Sequence, residues 1–215
     1  MIIMNYYDLL KKYIDLIPSN EPIFMEDIKN YFQNLIKHDI NQVMKNIYVY
    51  LNRMVKNGSL VLFMKGIYYK PLAGVFGNKK LDVNKVIRKK YISDDTGVKG
   101  YLSGAFLFNK LGLTTQIPKD VLVMTNECPN KNDYYNKNLG VVIRRPKIKI
   151  TDDNFKYLQL LDILNNKDNI PVDMDNVRKI IYQFIREEKL EIDKIFEYAK
   201  KTKSKKAIER LYEMG

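Results

Sequence analysis

Between Asp39 and Pro71 the apolar residues fall at Ile40, Val43, Ile47, Leu51, Met54 and Val55. Steps of three and four put these side chains on one face of a helix. The pattern stops at Lys56-Asn57-Gly58, where glycine can take the left-handed backbone of a helix C-terminus. Two short runs rich in Val, Leu, Ile, Phe and Tyr follow, Ser59–Met64 and Ile67–Lys70, around a tight Lys65-Gly66 turn, and they predict a β-hairpin. Upstream, Tyr6, Leu9, Leu10, Tyr13, Ile14 and Ile17 predict a helix over residues 5–17, ended by Pro18-Ser19-Asn20. Ile28, Phe32, Leu35 and Ile36 predict a second helix over about 25–36, with Glu26 and Asp27 near its positive end. The His38-Asp39 step is then a turn, and either Asp39 or Asn41 can cap the third helix. Three helices followed by a hairpin is the order of a winged helix-turn-helix, expected here over residues 1–72.

Pro71, two glycines and Asn-Lys-Lys interrupt the periodicity, so residues 73–79 read as a linker. Residues 80–215 read as a second, mixed α/β domain with a small sheet and C-terminal helices, making the whole chain α+β. A short helix over Asp82–Ile92 carries Lys85, Arg88, Lys89 and Lys90 on its outer face, and Gly97–Gly100 is a turn. Ser103 is expected to cap the compact helix SGAFLFNKL, Gly112 to stop it, and Pro118 to lead into a strand over Val121–Thr125. A second hairpin is expected to pair Gly140–Arg144 with Pro146–Ile150. Arg144, Arg145, Lys147 and Lys149 would give its sheet a positive face. Four helices are expected after residue 151, the second entered from Asp173 or Asp175.

Charge sharpens this division. The net charge of +12 is spread as +3 over residues 1–72, +9 over 73–150 and zero over 151–215. Such a density attracts polyanions. With 46% hydrophobic residues the chain can build real cores. It has no apolar run of membrane-spanning length and no secretory signal pattern at its start. One cysteine, Cys128, excludes an internal disulfide and fits a reducing cytoplasm. A cytoplasmic location without membrane contact is therefore expected.

On the third helix Asn41, Gln42, Lys45, Val49, Asn52 and Lys56 fall opposite Ile47, with Asn46, Tyr48 and Arg53 on the flanks. Asn and Gln can pair bidentately with adenine, while Lys reaches guanine or phosphate. Asn41, Gln42, Lys45 and Asn46 are the candidate base readers, Arg53 lies beside them, and Lys65 at the hairpin tip suits phosphate. The other reading of the helix is an ordinary solvated face.

Catalytic chemistry finds little material. His38 is the only histidine, so a histidine metal site or a triad has no members, and Cys128 has no activating histidine. Phosphate-cradling GxxxxGK[ST] and GxGxxG loops are absent. Asp120, Glu127 and Lys131 flank a strand in a basic domain, but Glu and Lys stand four apart rather than two. No catalytic residue, metal or cofactor is expected.

Gly66-Ile67-Tyr68-Tyr69-Lys70-Pro71, LNRMVKNGSL (51–60), SGAFLFNKLGLTTQIP (103–118) and VLVMT (121–125) resemble segments of the AbiEi-type antitoxins of type IV toxin–antitoxin systems. Met54 and Asn57 depart mildly from that family's helix-to-wing pattern. The likeness covers roughly residues 23–126. It implies that the N-terminal domain binds inverted repeats in double-stranded operator DNA and represses its own promoter. It further implies that the second domain opposes a nucleotidyltransferase-like toxin, without requiring that the two proteins touch. The matched positions are Ser103, Gly104, Asn109, Gly112, Thr114, Thr115, Gln116 and Pro118. Ser103, Asn109, Thr114, Thr115 and Gln116 are the candidates for antitoxin function, Asn109 and Gln116 having the least obvious structural duty. A winged-helix regulator with an unrelated effector or dimerisation domain is the alternative, and a nucleic-acid-processing enzyme a third reading.

Overall fold

Asn5 starts the first helix, α1 (Tyr6–Leu16), by accepting a hydrogen bond from the Tyr7 N–H at 3.0 Å. The computed structural model describes residues 5–36, 39–75, 77–115, 119–166 and 174–214. The chain divides into two compact units, Met1–Val86 and Ile87–Gly215.

In the first unit a two-residue strand, β1 (Ile23–Phe24), leads directly into α2 (Met25–Leu35). The third helix, α3 (Ile40–Lys56), begins at Asp39, whose carboxylate accepts from the Asn41 N–H at 2.9 Å. Of the two candidate caps, Asp39 fills the position. Residues 37 and 38, including the predicted turn residue His38, lie outside the described residues. At the far end Gly58 takes φ 79° and the Leu60 N–H donates to the Met54 carbonyl at 3.0 Å. Glycine reaches that conformation without the Cβ clash other residues meet, so the chain reverses into the sheet there.

The hairpin consists of β2 (Val61–Met64) and β3 (Ile67–Tyr69), paired antiparallel as Val61 with Tyr69, Leu62 with Tyr68 and Met64 with Ile67. Its other neighbour is β1, with Ile23 opposite Tyr68, so the strand order is β1-β3-β2. The sequence offers only Pro22 as a sign of extension there, and a two-residue strand is too short to show alternation. Leu10, Ile14, Ile28, Phe32, Val43, Ile47 and Leu51 form the core of this unit. Burying each large side chain contributes about 1.5–3 kcal/mol. Leu35, expected inward, is instead 46% exposed, while Phe32 in the same turn is fully buried. Residues 73–79, read as a linker, contribute to a short exposed hairpin, β4 (Leu72–Gly74) with β5 (Gly77–Lys79).

The helix α4 (Val83–Ile87) starts at Asp82, which accepts from the Asn84 N–H at 2.9 Å, and continues as a π-helical turn over Arg88–Ile92. The second unit then differs from expectation in its strands. Residues 93–103 form β6 (Ser93–Asp94), β7 (Gly97–Val98) and β8 (Gly100–Ser103), where a single turn was predicted over 97–100. After α5 (Gly104–Lys110) come β9 (Val121–Thr125), β10 (Tyr134–Asn136) and β11 (Val141–Arg144). The four-stranded sheet runs β10-β11-β9-β8, with β9 and β11 parallel and the outer pairs antiparallel. The partner predicted for β11 was Pro146–Ile150, but that segment is not a strand. Pro146 lacks the N–H a ladder needs, and Tyr134–Asn136, hidden from sequence in a polar loop, takes the place. The predicted positive sheet face therefore does not form: of its four basic residues only Arg144 lies in a strand.

Four helices close the second unit: α6 (Phe155–Asn165), α7 (Met174–Glu187), α8 (Ile192–Lys201) and α9 (Lys205–Met214). Of the two predicted entries, Asp173 lies outside the described residues, and Asp175 falls within α7 rather than before it. Tyr157, Leu158, Leu160, Leu161, Ile163 and Leu164 are all buried, so α6 buries apolar side chains around most of its circumference. No described helix is long and apolar enough to cross a membrane.

Candidate nucleic-acid interface

The inner stripe of α3, Val43, Met44, Ile47, Leu51 and Met54, is buried. Asn41, Gln42, Lys45, Asn46, Asn52, Arg53 and Lys56 are all exposed, as are Tyr48 (49%) and Val49 (47%). The 17-residue helix carries three cations and no carboxylate. At 1.5 Å per residue it is about 25 Å long, and its exposed arc offers amide donors and acceptors, cations and one apolar side chain. These are the groups that read base edges, phosphates and the thymine methyl.

Asn41 and Lys45 line an open groove of about 430 Å³ with Met25, Glu26, Lys29, Met44 and Tyr48. Lys29, on the exposed side of α2, thus joins Lys45 in a groove that also carries Glu26. The pattern at residues 25–36 could have revealed Lys29 as outward, since it neighbours the inward Ile28. Arg53 sits at the edge of the face, its guanidinium 5.9 Å from the centre of the Tyr50 ring. Lys65 is exposed at the tip between β2 and β3, and the adjoining Gly66 carbonyl accepts from the Met25 N–H at 2.9 Å. That bond fixes the tip against the start of α2, within the same unit as α3.

In the second unit the residues singled out by resemblance have varied surroundings. Ser103 precedes α5 but makes no side-chain cap there; its hydroxyl donates to Asp162 Oδ2 at 2.9 Å. The expected capping role is therefore wrong, because the buried carboxyl competes successfully for the hydroxyl. Gly104 opens α5 at φ 64°, a backbone that glycine tolerates best. Asn109 donates its amide to the Thr114 carbonyl at 3.1 Å, holding the chain after α5. It thus has the structural duty that sequence alone did not show. At the end of α5 the Leu113 N–H donates to the Phe108 carbonyl at 2.8 Å, and Leu113 is fully buried. Thr114 is half-buried and Thr115 exposed, while Gln116 and Pro118 lie outside the described residues.

Asp162 is the residue sequence reasoning missed. It accepts from the Tyr101 hydroxyl at 3.1 Å as well as from Ser103. Burial pushes its carboxyl upward, against the hydrogen bonds of Ser103 and Tyr101 and the positive charges of Arg144 and Lys147. Burial and the neighbouring carboxyl raise the Tyr101 hydroxyl far above its ordinary range. The available signal was a lone charge inside YLQLLDIL, an otherwise uncharged run on a helix.

Asp120 and Glu127 are exposed beyond opposite ends of β9, seven residues apart. Extended chain of that length spans about 20 Å, too far for one ion. Among the described residues no three His, Cys, Asp or Glu side chains are grouped to hold a metal. No protein-family model matches the chain, and no curated protein matches it.

Proposed function

We propose that the first unit is a winged helix-turn-helix that binds double-stranded DNA, with α3 in the major groove and Lys65 on a flanking phosphate. The observation that carries this reading is the exposed arc of α3, which combines Asn41, Gln42, Lys45, Asn46 and Arg53 with no acidic residue. Base contacts would come from the N-terminal half of the helix, where Lys29 adds a cation on the neighbouring helix. Each bidentate base contact contributes about 1–3 kcal/mol of discrimination. A gel shift on the DNA upstream of the chain's own coding sequence tests the reading. The Lys45→Ala/Asn46→Ala double variant is expected to bind at least tenfold more weakly, and undiminished binding would remove α3 from the interface.

The operator reading extends to an autorepressor and antitoxin of the type IV class. Its support is the likeness of residues 103–118 and 121–125 to AbiEi-type antitoxins, joined to an N-terminal unit suited to DNA. The structural duties of Asn109, Leu113 and Ser103 account for part of that likeness without any antitoxin role. Thr115 remains exposed and is the better candidate for contact. Co-expression with the nucleotidyltransferase-like toxin of a neighbouring gene provides the test. Growth rescue by the full chain supports the antitoxin reading, and continued arrest despite normal accumulation contradicts it.

A further inference from the structure

A cleft of about 310 Å³ opens in the second unit between the sheet, α6 and the turn joining α8 to α9. Its chemistry is divided. Asp162 lines it, held through Oδ2 by Tyr101 and Ser103, so Oδ1 is the acceptor that remains. Arg145 and Lys147 also line the cleft and form no salt bridge with Asp162. The Arg145 guanidinium donates one bond to the Cys128 carbonyl at 3.0 Å. Lys147 Nζ donates one to the Thr202 carbonyl at 2.9 Å. Both cations keep further donors, five being available to a guanidinium and three to an ammonium. Met124, Ile148, Leu158 and Leu161 add apolar surface to the lining.

A half-buried carboxyl is costly unless something donates to it, and nearby cations would ordinarily close onto it. Here Arg145 and Lys147 donate to backbone carbonyls instead. Asp162 also lies in the last turn of α6, where the helix dipole favours donors over anions. The cleft therefore offers an acceptor, cationic donors and apolar surface, which together suit a ligand with a hydrogen-bond donor, an apolar body and a negative charge. Its volume is at the small end of ligand pockets.

We propose that this cleft binds a 5′-mononucleotide, with a base N–H donating to Asp162 and the phosphate held by Arg145 and Lys147. Binding here would make the second unit a ligand-responsive module, a property separate from the DNA and antitoxin readings above. Because every lining residue belongs to the second unit, failure of the DNA reading would leave this proposal standing.

Isothermal titration of the full chain with AMP, GMP, CMP and UMP, and with inorganic phosphate and ribose 5-phosphate, tests it. At least one nucleotide is expected to bind ten or more times tighter than either phosphate compound. Asp162→Asn can still accept from Tyr101 and Ser103 through its carbonyl while presenting an N–H to the cleft. It should weaken that nucleotide at least tenfold and leave phosphate unchanged. Lys147→Gln should weaken both. Thermal melts confirm that each variant folds; if Asp162→Asn does not, Lys147→Gln and the nucleotide-to-phosphate ratio decide. Equal affinity for phosphate and all nucleotides, or no binding by any of them, overturns the proposal. So does a nucleotide affinity unmoved by either folded variant.

Discussion

Asp94 shows how single side chains set this structure. Lys99 Nζ reaches its carboxylate at 2.5 Å, and the Thr96 hydroxyl and N–H donate to it at 2.5 and 2.8 Å. Burial opposes its ionisation, but these hydrogen bonds together bring the carboxyl down to about 2. A depressed folded value stabilises the protein at pH above the ordinary carboxylate range, and that stability is lost as pH falls through about 2. Solvent screens part of it, leaving about 1 kcal/mol. Asp94→Ala is thus expected to cost about that much at pH 7 by chemical denaturation, with the difference from the native chain vanishing on acidification. A constant difference from pH 7 to pH 2 would contradict this. Residues that act through the backbone nearby, such as Asp39 and Gly58, were legible from type and position. Asp162 was harder to read because its partners, Tyr101 and Ser103, lie about 60 residues away in sequence.

Elements were legible where one face is buried and the pattern is long. The inward stripe of α3 stands out because 17 residues sample the helical period several times. Its outward residues followed by geometry alone. Strand pairing was less legible. Val141–Arg144 was readable as a strand, but its pairing in parallel with β9 and antiparallel with β10 depends on contacts distant along the chain. Apolar alternation assigns faces, not partners. The start of α5 illustrates another hidden constraint. Gly104 has φ 64°, and an added Cβ would sit 3.3 Å from a Leu122 methyl carbon. Gly104→Ala is expected to lower stability by about 1–2 kcal/mol, through the left-handed backbone and the tight contact. Chemical denaturation measures it, and an unchanged or higher midpoint would show that α5 can begin in another conformation.

For the whole molecule, charge and division into units are the informative quantities. The net of +9 over residues 73–150 suits a second region of phosphate contact, although Arg144 is engaged with Asp133 and no positive sheet face forms. Counterion release makes the logarithm of DNA affinity fall with the logarithm of salt, by about 0.9 for each phosphate neutralised. Lys65→Ala is expected to reduce that slope by about one while preserving sequence preference. An unchanged slope would place Lys65 away from phosphate.

The central claim is that α3 reads DNA in the chain's own promoter region. A nuclease footprint of the full chain on that DNA tests it most directly. Protected segments related by inverted symmetry are expected, with protection lost at the same protein concentration for Lys45→Ala/Asn46→Ala. No protection of that DNA, or the same protection by the double variant, would contradict it.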